Sequence, residues 1–310
     1  MRLVWGAALI AAAIQAQVSI EPRPKRPEPR DDRPPTSLRV ETNLVLVPVM
    51  VNDRLNRPVN GLERENFRIY EDRVEQTISQ FAMDDADIAV GLVFDTSGSM
   101  GNKLVESRMA AKEFFRTSNP EDEFFLVEFD SSPRLVVPLT NNTGDIETRL
   151  AFSRSKGSTA LLDAIYLALH EMRKSKKTKK ALLVISDGGD NHSRYTPEEV
   201  IGVVRESDVL IYGIGIFGGA LTPEEAAGPG LLSRIAEQTG ARLFSARPSE
   251  LADTANKISL ELRNRYVLGY SPKNQARDGK YHRVDVKLVP PRGLPPLQAH
   301  WRRGYYAPLE

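Results

Sequence analysis

The chain has 310 residues, of which 41% are hydrophobic and 27% are charged, so it can form one large folded domain or two smaller ones. Its formal net charge of +1 produces no long-range field that would favour nucleic acid or an anionic membrane as a partner. It contains no cysteine, which excludes disulfides, thiolate metal sites, cysteine nucleophiles and an N-terminal lipid-modified cysteine.

The first 16 residues are typical of a signal peptide. A basic start, Met1-Arg2, precedes the apolar run VWGAALIAAAI, which is too short to span a bilayer, and small residues lead to a cleavage site after Ala16. We therefore expect export to the periplasm or the extracellular space, with no integral membrane segment left after cleavage. Residues 17–37 are rich in Pro, Arg and acidic residues, which predicts an extended linker because such a segment buries little apolar surface.

Both ends of the remaining chain have the pattern of β-strands. Residues 38–84 contain the valine-rich alternating run LRVETNLVLVPVMV, followed by FRIYED and QTISQFAM, and residues 266–310 contain RYVLGYSP, YHRVDVKLV and LQAHWRRGYY. Two or three strands at either end are too few to bury a stable face alone. We therefore predict that the two segments pack together as one small β module beside the central part of the chain.

Residues 85–265 alternate between strand and helix patterns. The apolar run IAVGLVFD is typical of a parallel strand that is covered on both faces. The next segment predicts a helix from Lys103 to Thr117, with core positions at Leu104, Met109, Phe114 and Phe115. Further strand and helix patterns alternate as far as Arg265. This order predicts a doubly wound, mostly parallel α/β domain of Rossmann-like type, with its ligand site at the carboxyl ends of the strands.

Three polar loops adjoin the predicted strands and helices. The loop after IAVGLVFD carries Asp95, Ser97 and Ser99, a second loop carries Thr159 just before a helix, and a third carries Asp187 directly after the strand KALLVIS. In a doubly wound sheet the first and third loops emerge at the same edge, where a helix-opening loop can meet them. Hydroxyls with few carboxylates suit Mg²⁺ or Mn²⁺, with Ca²⁺ as a third candidate.

At these residues the sequence resembles a von Willebrand factor A-type domain over about residues 86–260, and the whole arrangement resembles the secreted VWFA-related proteins common in acidobacteria. The family's metal-ion-dependent adhesion site (MIDAS) has an Asp-x-Ser-x-Ser loop, a later Thr and a later Asp. The resemblance implies that Ser97, Ser99 and Thr159 ligate the cation directly, that Asp95 and Asp187 act partly through water, and that a partner's carboxylate often completes the shell.

The residues of the first loop would also suit helix capping or serine hydrolysis. Asp95 and Ser97 would also suit helix capping, although capping explains one loop rather than three. A serine hydrolase would need a histidine base, and His192, five residues after Asp187 in the third loop, comes closest to one, but the nucleophile motif G-x-S-x-G is absent around Ser97 and Ser99. We expect an exported, non-enzymatic module that binds an acidic group of a protein partner through the cation. The alternatives are an envelope scaffold with a purely structural metal and, more weakly, a hydrolase.

Overall fold

A computed structural model describes residues 44–84, 86–216, 223–274, 277–291 and 293–309. The predicted signal peptide, the predicted linker and the first six residues of the predicted β module therefore lie outside the described residues. Within the described ranges, no helix combines the length and the apolar character needed to cross a membrane.

The order of strands and helices along the chain matches the predicted pattern, with strands at both ends and alternating strands and helices between them. The helices are α1 (Leu104–Phe115), α2 (Thr143–Ala151), α3 (Leu161–Met172), α4 (Pro197–Glu206), α5 (Pro223–Thr239) and α6 (Leu251–Arg263). The strands are β1 (Val45–Asn52), β2 (Phe67–Glu71), β3 (Val74–Gln76), β4 (Gln80–Asp84), β5 (Ile88–Asp95), β6 (Glu123–Phe129), β7 (Pro133–Thr140), β8 (Lys179–Ser186), β9 (Leu210–Ile216), β10 (Leu243–Ala246), β11 (Arg265–Tyr270), β12 (Tyr281–Leu288), β13 (Gln298–Trp301) and β14 (Gly304–Tyr306).

The central sheet has six strands in the order β10-β9-β8-β5-β6-β7. All neighbouring pairs are parallel except β6 with the edge strand β7, which is antiparallel. Every residue of β5 and β9 is buried, as expected for strands covered on both faces. The predicted α/β class with a mostly parallel, doubly wound sheet is confirmed.

Helices cover both faces of this sheet. One apolar core joins the sheet to α1, α2 and α6, and a second joins its other face to α3, α4 and α5. The prediction that Met109 lies in the core is wrong, because its side chain is 60% exposed, whereas Leu104 and Phe114 are buried. Met109 is five residues from each of them, which rotates it about 140° away from their face of the helix.

Two further four-stranded sheets combine strands from the two ends of the chain. Their orders are β13-β1-β11-β4 and β14-β12-β2-β3. Val47 of β1 pairs with Leu268 of β11, and Ile69 of β2 pairs with Val286 of β12. These four side chains belong to one apolar core shared by both sheets. The strands of the predicted β module thus pair across the chain, while its domain boundaries stay a prediction.

The order of the central sheet defines where a ligand would bind. From β5 the chain proceeds to β6 on one side, and it later returns through β8 on the other side. The carboxyl ends of β5 and β8 therefore lie side by side at the point where the strand order reverses. Open α/β sheets bind their ligands in the crevice at this point.

Candidate metal centre

Asp95 is the last residue of β5, and its side chain is fully buried. Its Oδ1 accepts a hydrogen bond from the backbone N–H of Ser97 at 2.8 Å, and its Oδ2 accepts one from the hydroxyl of Ser186 at 2.6 Å. Ser186 is the last residue of β8. Asp95 therefore ties the first loop to the end of the neighbouring strand and lies between the two strand ends.

Burial raises the pKa of Asp95 to about 7, because a carboxylate away from water loses its hydration. Hydrogen bonds from Ser186 and Ser97 oppose this effect, while the negative charge of the nearby Asp187 adds to it. Two carboxylates are thus close enough to repel each other in a dry environment. A divalent cation would relieve that repulsion.

The two serines of the first loop lie next to each other. The hydroxyl oxygens of Ser97 and Ser99 are 3.0 Å apart. Ser97 is 1% exposed, whereas Ser99 is exposed to solvent. A short 3-10 turn over Gly98–Met100 follows Ser97 and places both hydroxyls on the same side of the loop. The pair therefore presents two oxygen atoms, one of which faces water.

Backbone hydrogen bonds join the second loop to the first. The N–H of Gly98 donates to the carbonyl oxygen of Gly157 at 3.0 Å, and the N–H of Lys156 donates to the carbonyl oxygen of Thr96 at 2.8 Å. Gly157 has a φ of +74°, a conformation that side chains with a Cβ rarely adopt. The glycine therefore allows the second loop to run along the first.

Thr159 connects the second loop to the third. It is 5% exposed, and its N–H donates to the Oδ1 of Asn191 at 2.9 Å. Its carbonyl oxygen accepts from the N–H groups of Asn191 and His192 at 3.0 and 3.1 Å. Asp190, in the same third loop, accepts a hydrogen bond from the N–H of Leu161 at the start of α3. The structure thus joins all three predicted loops by hydrogen bonds.

Asp187 follows β8 and is 1% exposed. Its Oδ2 accepts a hydrogen bond from the ammonium group of Lys103 at 3.0 Å, and Lys103 is itself buried. Its Oδ1 is buried and has no hydrogen-bond partner. A buried carboxylate oxygen without a donor costs about 1–3 kcal/mol or more. This oxygen is therefore available to a ligand atom that the polypeptide does not provide.

A close contact with α5 fixes the backbone just beyond Asp187. Gly188 has a φ of +83°, and a Cβ added there would lie 2.9 Å from the carbonyl carbon of Gly228. A Cβ added to Gly228 would lie 2.2 Å from the carbonyl carbon of Gly188. Only two glycines allow this approach, so the third loop depends on the position of α5.

The donor set fits a hard divalent cation. It consists of hydroxyls and carboxylates, the oxygen ligands that Mg²⁺ and Mn²⁺ prefer. Two observations match such a group: the buried, unpartnered Oδ1 of Asp187 and the adjacent hydroxyls of Ser97 and Ser99. Thr159 is held against the third loop by hydrogen bonds of its backbone to Asn191 and His192.

Sequence reasoning missed two residues that complete this arrangement, Ser186 and Lys103. Ser186 ends the predicted strand KALLVIS, but nothing in the sequence indicates that its hydroxyl reaches Asp95. Lys103 looked like an ordinary residue at the start of a helix. A lysine four residues after Ser99 is a signal only if the fold is known to bring α1 over the end of β8.

A second group of candidate metal ligands lies in the β module and consists of Glu71, Asp72 and His282. The Nδ1 of His282 is 2.8 Å from an Asp72 carboxylate oxygen, and Glu71 accepts hydrogen bonds from the hydroxyls of Tyr270 and Tyr305. His282 lies 210 positions after Asp72 in the chain, so sequence spacing could not indicate the group. The two tyrosine hydroxyls occupy one oxygen of Glu71, while the Nε2 of His282 is buried without a hydrogen-bond partner.

Comparison with known proteins agrees with this fold. Residues 90–189 match the family model of the von Willebrand factor type A domain, so the predicted resemblance is confirmed over these residues. An uncharacterised protein of Borreliella burgdorferi is 26% identical over 208 residues, which are 57% of this chain and 60% of that protein. This chain therefore spans less than two thirds of that relative.

Two solved structures share the fold. A von Willebrand factor type A protein from Catenulispora acidiphila superposes with a TM-score of 0.51 at 12% identity, over 86% of this chain and 74% of that one. Proximal thread matrix protein 1 from the mussel byssus superposes with a TM-score of 0.51 at 20% identity, over 62% of this chain and 51% of that one. At these identities the similarity concerns the fold alone.

Proposed function

We propose that this protein is an exported, non-enzymatic binding module that holds a divalent cation and uses it to bind an acidic group of a protein partner. The observation that carries the proposal is the Oδ1 of Asp187, which is buried without a hydrogen-bond partner at the switch point of the sheet. The repulsion between Asp187 and the buried Asp95 gives the same place an affinity for positive charge.

Each of the five predicted ligands would have a distinct role. The hydroxyls of Ser97, Ser99 and Thr159 would bind the cation directly, and Asp95 and Asp187 would contribute their charges partly through water. Mg²⁺ is the favoured ion, then Mn²⁺, with Ca²⁺ as a third candidate. When bound, the cation would supply a positive charge and a coordination position for an external carboxylate.

The exposure of Ser99 favours partner binding over a purely structural metal. Ser97, Thr159 and Asp187 are buried, whereas Ser99 and the neighbouring Gly98 are exposed. Asn191 and His192, which adjoin Thr159, are also exposed. The donor set therefore has one side toward solvent, from which a carboxylate of a protein partner can approach. An envelope scaffold with a structural metal would need no such opening.

The hydrogen bonds at the first loop favour binding over hydrolysis. The hydroxyl of Ser97 contacts that of Ser99, and the Asp95 carboxylate accepts from Ser186. His192 donates its backbone N–H to Thr159, and its side chain is exposed. A hydrolase would instead require a histidine base held against one of the serine hydroxyls.

The proposal is tested by measuring cation binding and partner capture together. Mg²⁺ titrated into the protein should bind, and the Asp187→Asn variant should lose this binding because it removes the charge and replaces one carboxylate oxygen with an amide NH2 group. Immobilised protein should then capture envelope proteins in Mg²⁺ but not in EDTA, and excess free aspartate-containing peptide should compete. If the protein binds Mg²⁺ but its capture of envelope proteins is unaffected by EDTA and by the peptide, the binding function is refuted and the scaffold function is supported.

A further inference from the structure

We propose that Lys103 makes the cation-loaded site selective for an anionic ligand, because its charge leaves that site with a net positive charge. This inference rests on the proposed function and adds a specificity-determining residue to it. Lys103 would touch neither the cation nor the ligand, so it acts through Asp187 as a positioning residue.

The position of Lys103 is unusual for a lysine. Its side chain is 8% exposed, and lysines are rarely buried unless they are paired. It directly precedes α1, and its ammonium group reaches the carboxylate of Asp187 at 3.0 Å. The two residues lie 84 positions apart in the sequence, so the fold and not the local chain brings them together.

The contact also orients Asp187. The ammonium group occupies Oδ2, while Oδ1 remains buried without a partner. One oxygen of the carboxylate is thus fixed by the protein, and the other is left for the cation. The charge of Lys103 therefore lies only one carboxyl group away from the free oxygen that would face the cation.

The charges of the groups around the cation predict the affinity of the loaded site for a carboxylate. Asp95 and Asp187 contribute one negative charge each when ionised, and Lys103 contributes one positive charge. With a divalent cation these groups carry a net charge of +1. Without the lysine charge they would be neutral. An incoming carboxylate would therefore bring these four groups to zero net charge, whereas without Lys103 it would bring the remaining three to a net charge of −1.

A second cation near these loops does not alter this count. The guanidinium of Arg134 makes two hydrogen bonds of 3.1 Å to the carboxylate of Asp130, and the pair is neutral. The backbone carbonyl of Asp130 accepts from the N–H of Ala160, which follows Thr159. Lys103 is the cationic side chain that contacts Asp187 directly.

Removing the charge of Lys103 should therefore move two affinities in opposite directions. The cation should bind more tightly, because it no longer meets a like charge behind Asp187. A carboxylate should bind the loaded site more weakly, because the net positive charge is gone. A charge about 4–6 Å away changes an ionisation equilibrium by roughly tenfold or more, and an ion-binding equilibrium should respond similarly. A merely structural role would weaken both affinities together.

The experiment uses Mn²⁺ and acetate as probes with the full chain. Electron paramagnetic resonance of free Mn²⁺ gives the cation affinity, and the relaxation of acetate protons by protein-bound Mn²⁺ gives the affinity of a carboxylate for the loaded site. Lys103→Met keeps the length of the side chain and removes its charge, and Lys103→Gln is a second neutral variant. Lys112→Met is the control, since Lys112 is on α1 with a side chain that is 73% exposed.

We expect both Lys103 variants to bind Mn²⁺ about tenfold or more tightly than the wild type and acetate about tenfold or more weakly, with no change for the control. If both affinities fall together, or neither changes, the inference is overturned. If both Lys103 variants remain unfolded even in Mn²⁺, Lys103 is structural and the inference is equally overturned. A wild-type protein that binds no Mn²⁺, or binds it without relaxing acetate, would instead refute the proposed function.

Discussion

Replacing Asp95 with asparagine should stabilise the metal-free protein at high pH and abolish its response to Mg²⁺. The variant keeps the shape of a fully buried side chain and removes its charge. Burial raises the pKa of Asp95 from the ordinary 3.8 to about 7, and this difference corresponds to about 4 kcal/mol as an upper bound at a pH well above 7.

The sign of the pH dependence follows from the raised pKa. The folded protein holds the proton of Asp95 more tightly than the unfolded chain, so its stability falls as the pH rises from about 4 to about 7. At about pH 8 the Asp95→Asn variant should be more stable than the metal-free wild type by roughly 1–4 kcal/mol. At about pH 4 the two proteins should be nearly equal, because the aspartate is then protonated.

Mg²⁺ should reduce the stability advantage of the variant at about pH 8, because only the wild type gains from the cation. At ten times its dissociation constant, a cation that binds only the folded state adds about 1.4 kcal/mol to the wild type and nothing to the variant. Urea denaturation at both pH values, with and without Mg²⁺, gives four free energies of unfolding for each protein. The control is Asp253→Asn, whose side chain is 82% exposed. A variant less stable than the wild type at about pH 8, or one that still responds to Mg²⁺, would contradict this reasoning.

Three further predictions concern other parts of the chain. Asp84→Asn should lower the free energy of unfolding by about 3–5 kcal/mol in chemical denaturation, because it leaves the buried Lys179 and Arg265 without their carboxylate. Burial opposes ionisation of Asp84, but Arg265 and Lys179 outweigh burial and lower the pKa of Asp84. The loss of stability in the variant should therefore shrink as the pH falls below 3.8. A loss that stays constant with pH would be contrary evidence. A chain ending at Arg265 should aggregate in size-exclusion chromatography, since β1 and β2 lose their partners β11 and β12, and an unchanged melting temperature with a monomeric profile would disprove this. N-terminal sequencing of the exported protein should begin near Gln17, and recovery of Met1 would refute the signal peptide.

The fold could be predicted because its signals are local. The apolar run IAVGLVFD is typical of a strand covered on both faces, and the Thr196-Pro197 start of α4 has a capping box that the sequence already contains. Alternation of such segments fixes a doubly wound sheet. The error at Met109 has the same local origin, since its hydrophobicity was counted while its angular position on α1 was not.

The site could be predicted only in part. The predicted ligands of the first loop form a local sequence pattern, whereas the residues that position them are brought in by tertiary contacts. Asp95, Ser97 and Ser99 are neighbours in the sequence, so their alternation is visible without a structure. The contact from Lys103 to Asp187 depends on where α1 crosses the end of β8. Likewise, the packing of Gly188 on Gly228 depends on the tertiary position of α5, which no local pattern contains.

The central claim is that the three loops hold a divalent cation with an open coordination position, and anomalous scattering from crystals grown with Mn²⁺ tests it most directly. We predict a single strong peak within coordination distance of the hydroxyls of Ser97 and Ser99, next to the free oxygen of Asp187, with an acetate or water ligand on the solvent side. No peak at these residues, or a peak confined to the group of Glu71, Asp72 and His282, would contradict it.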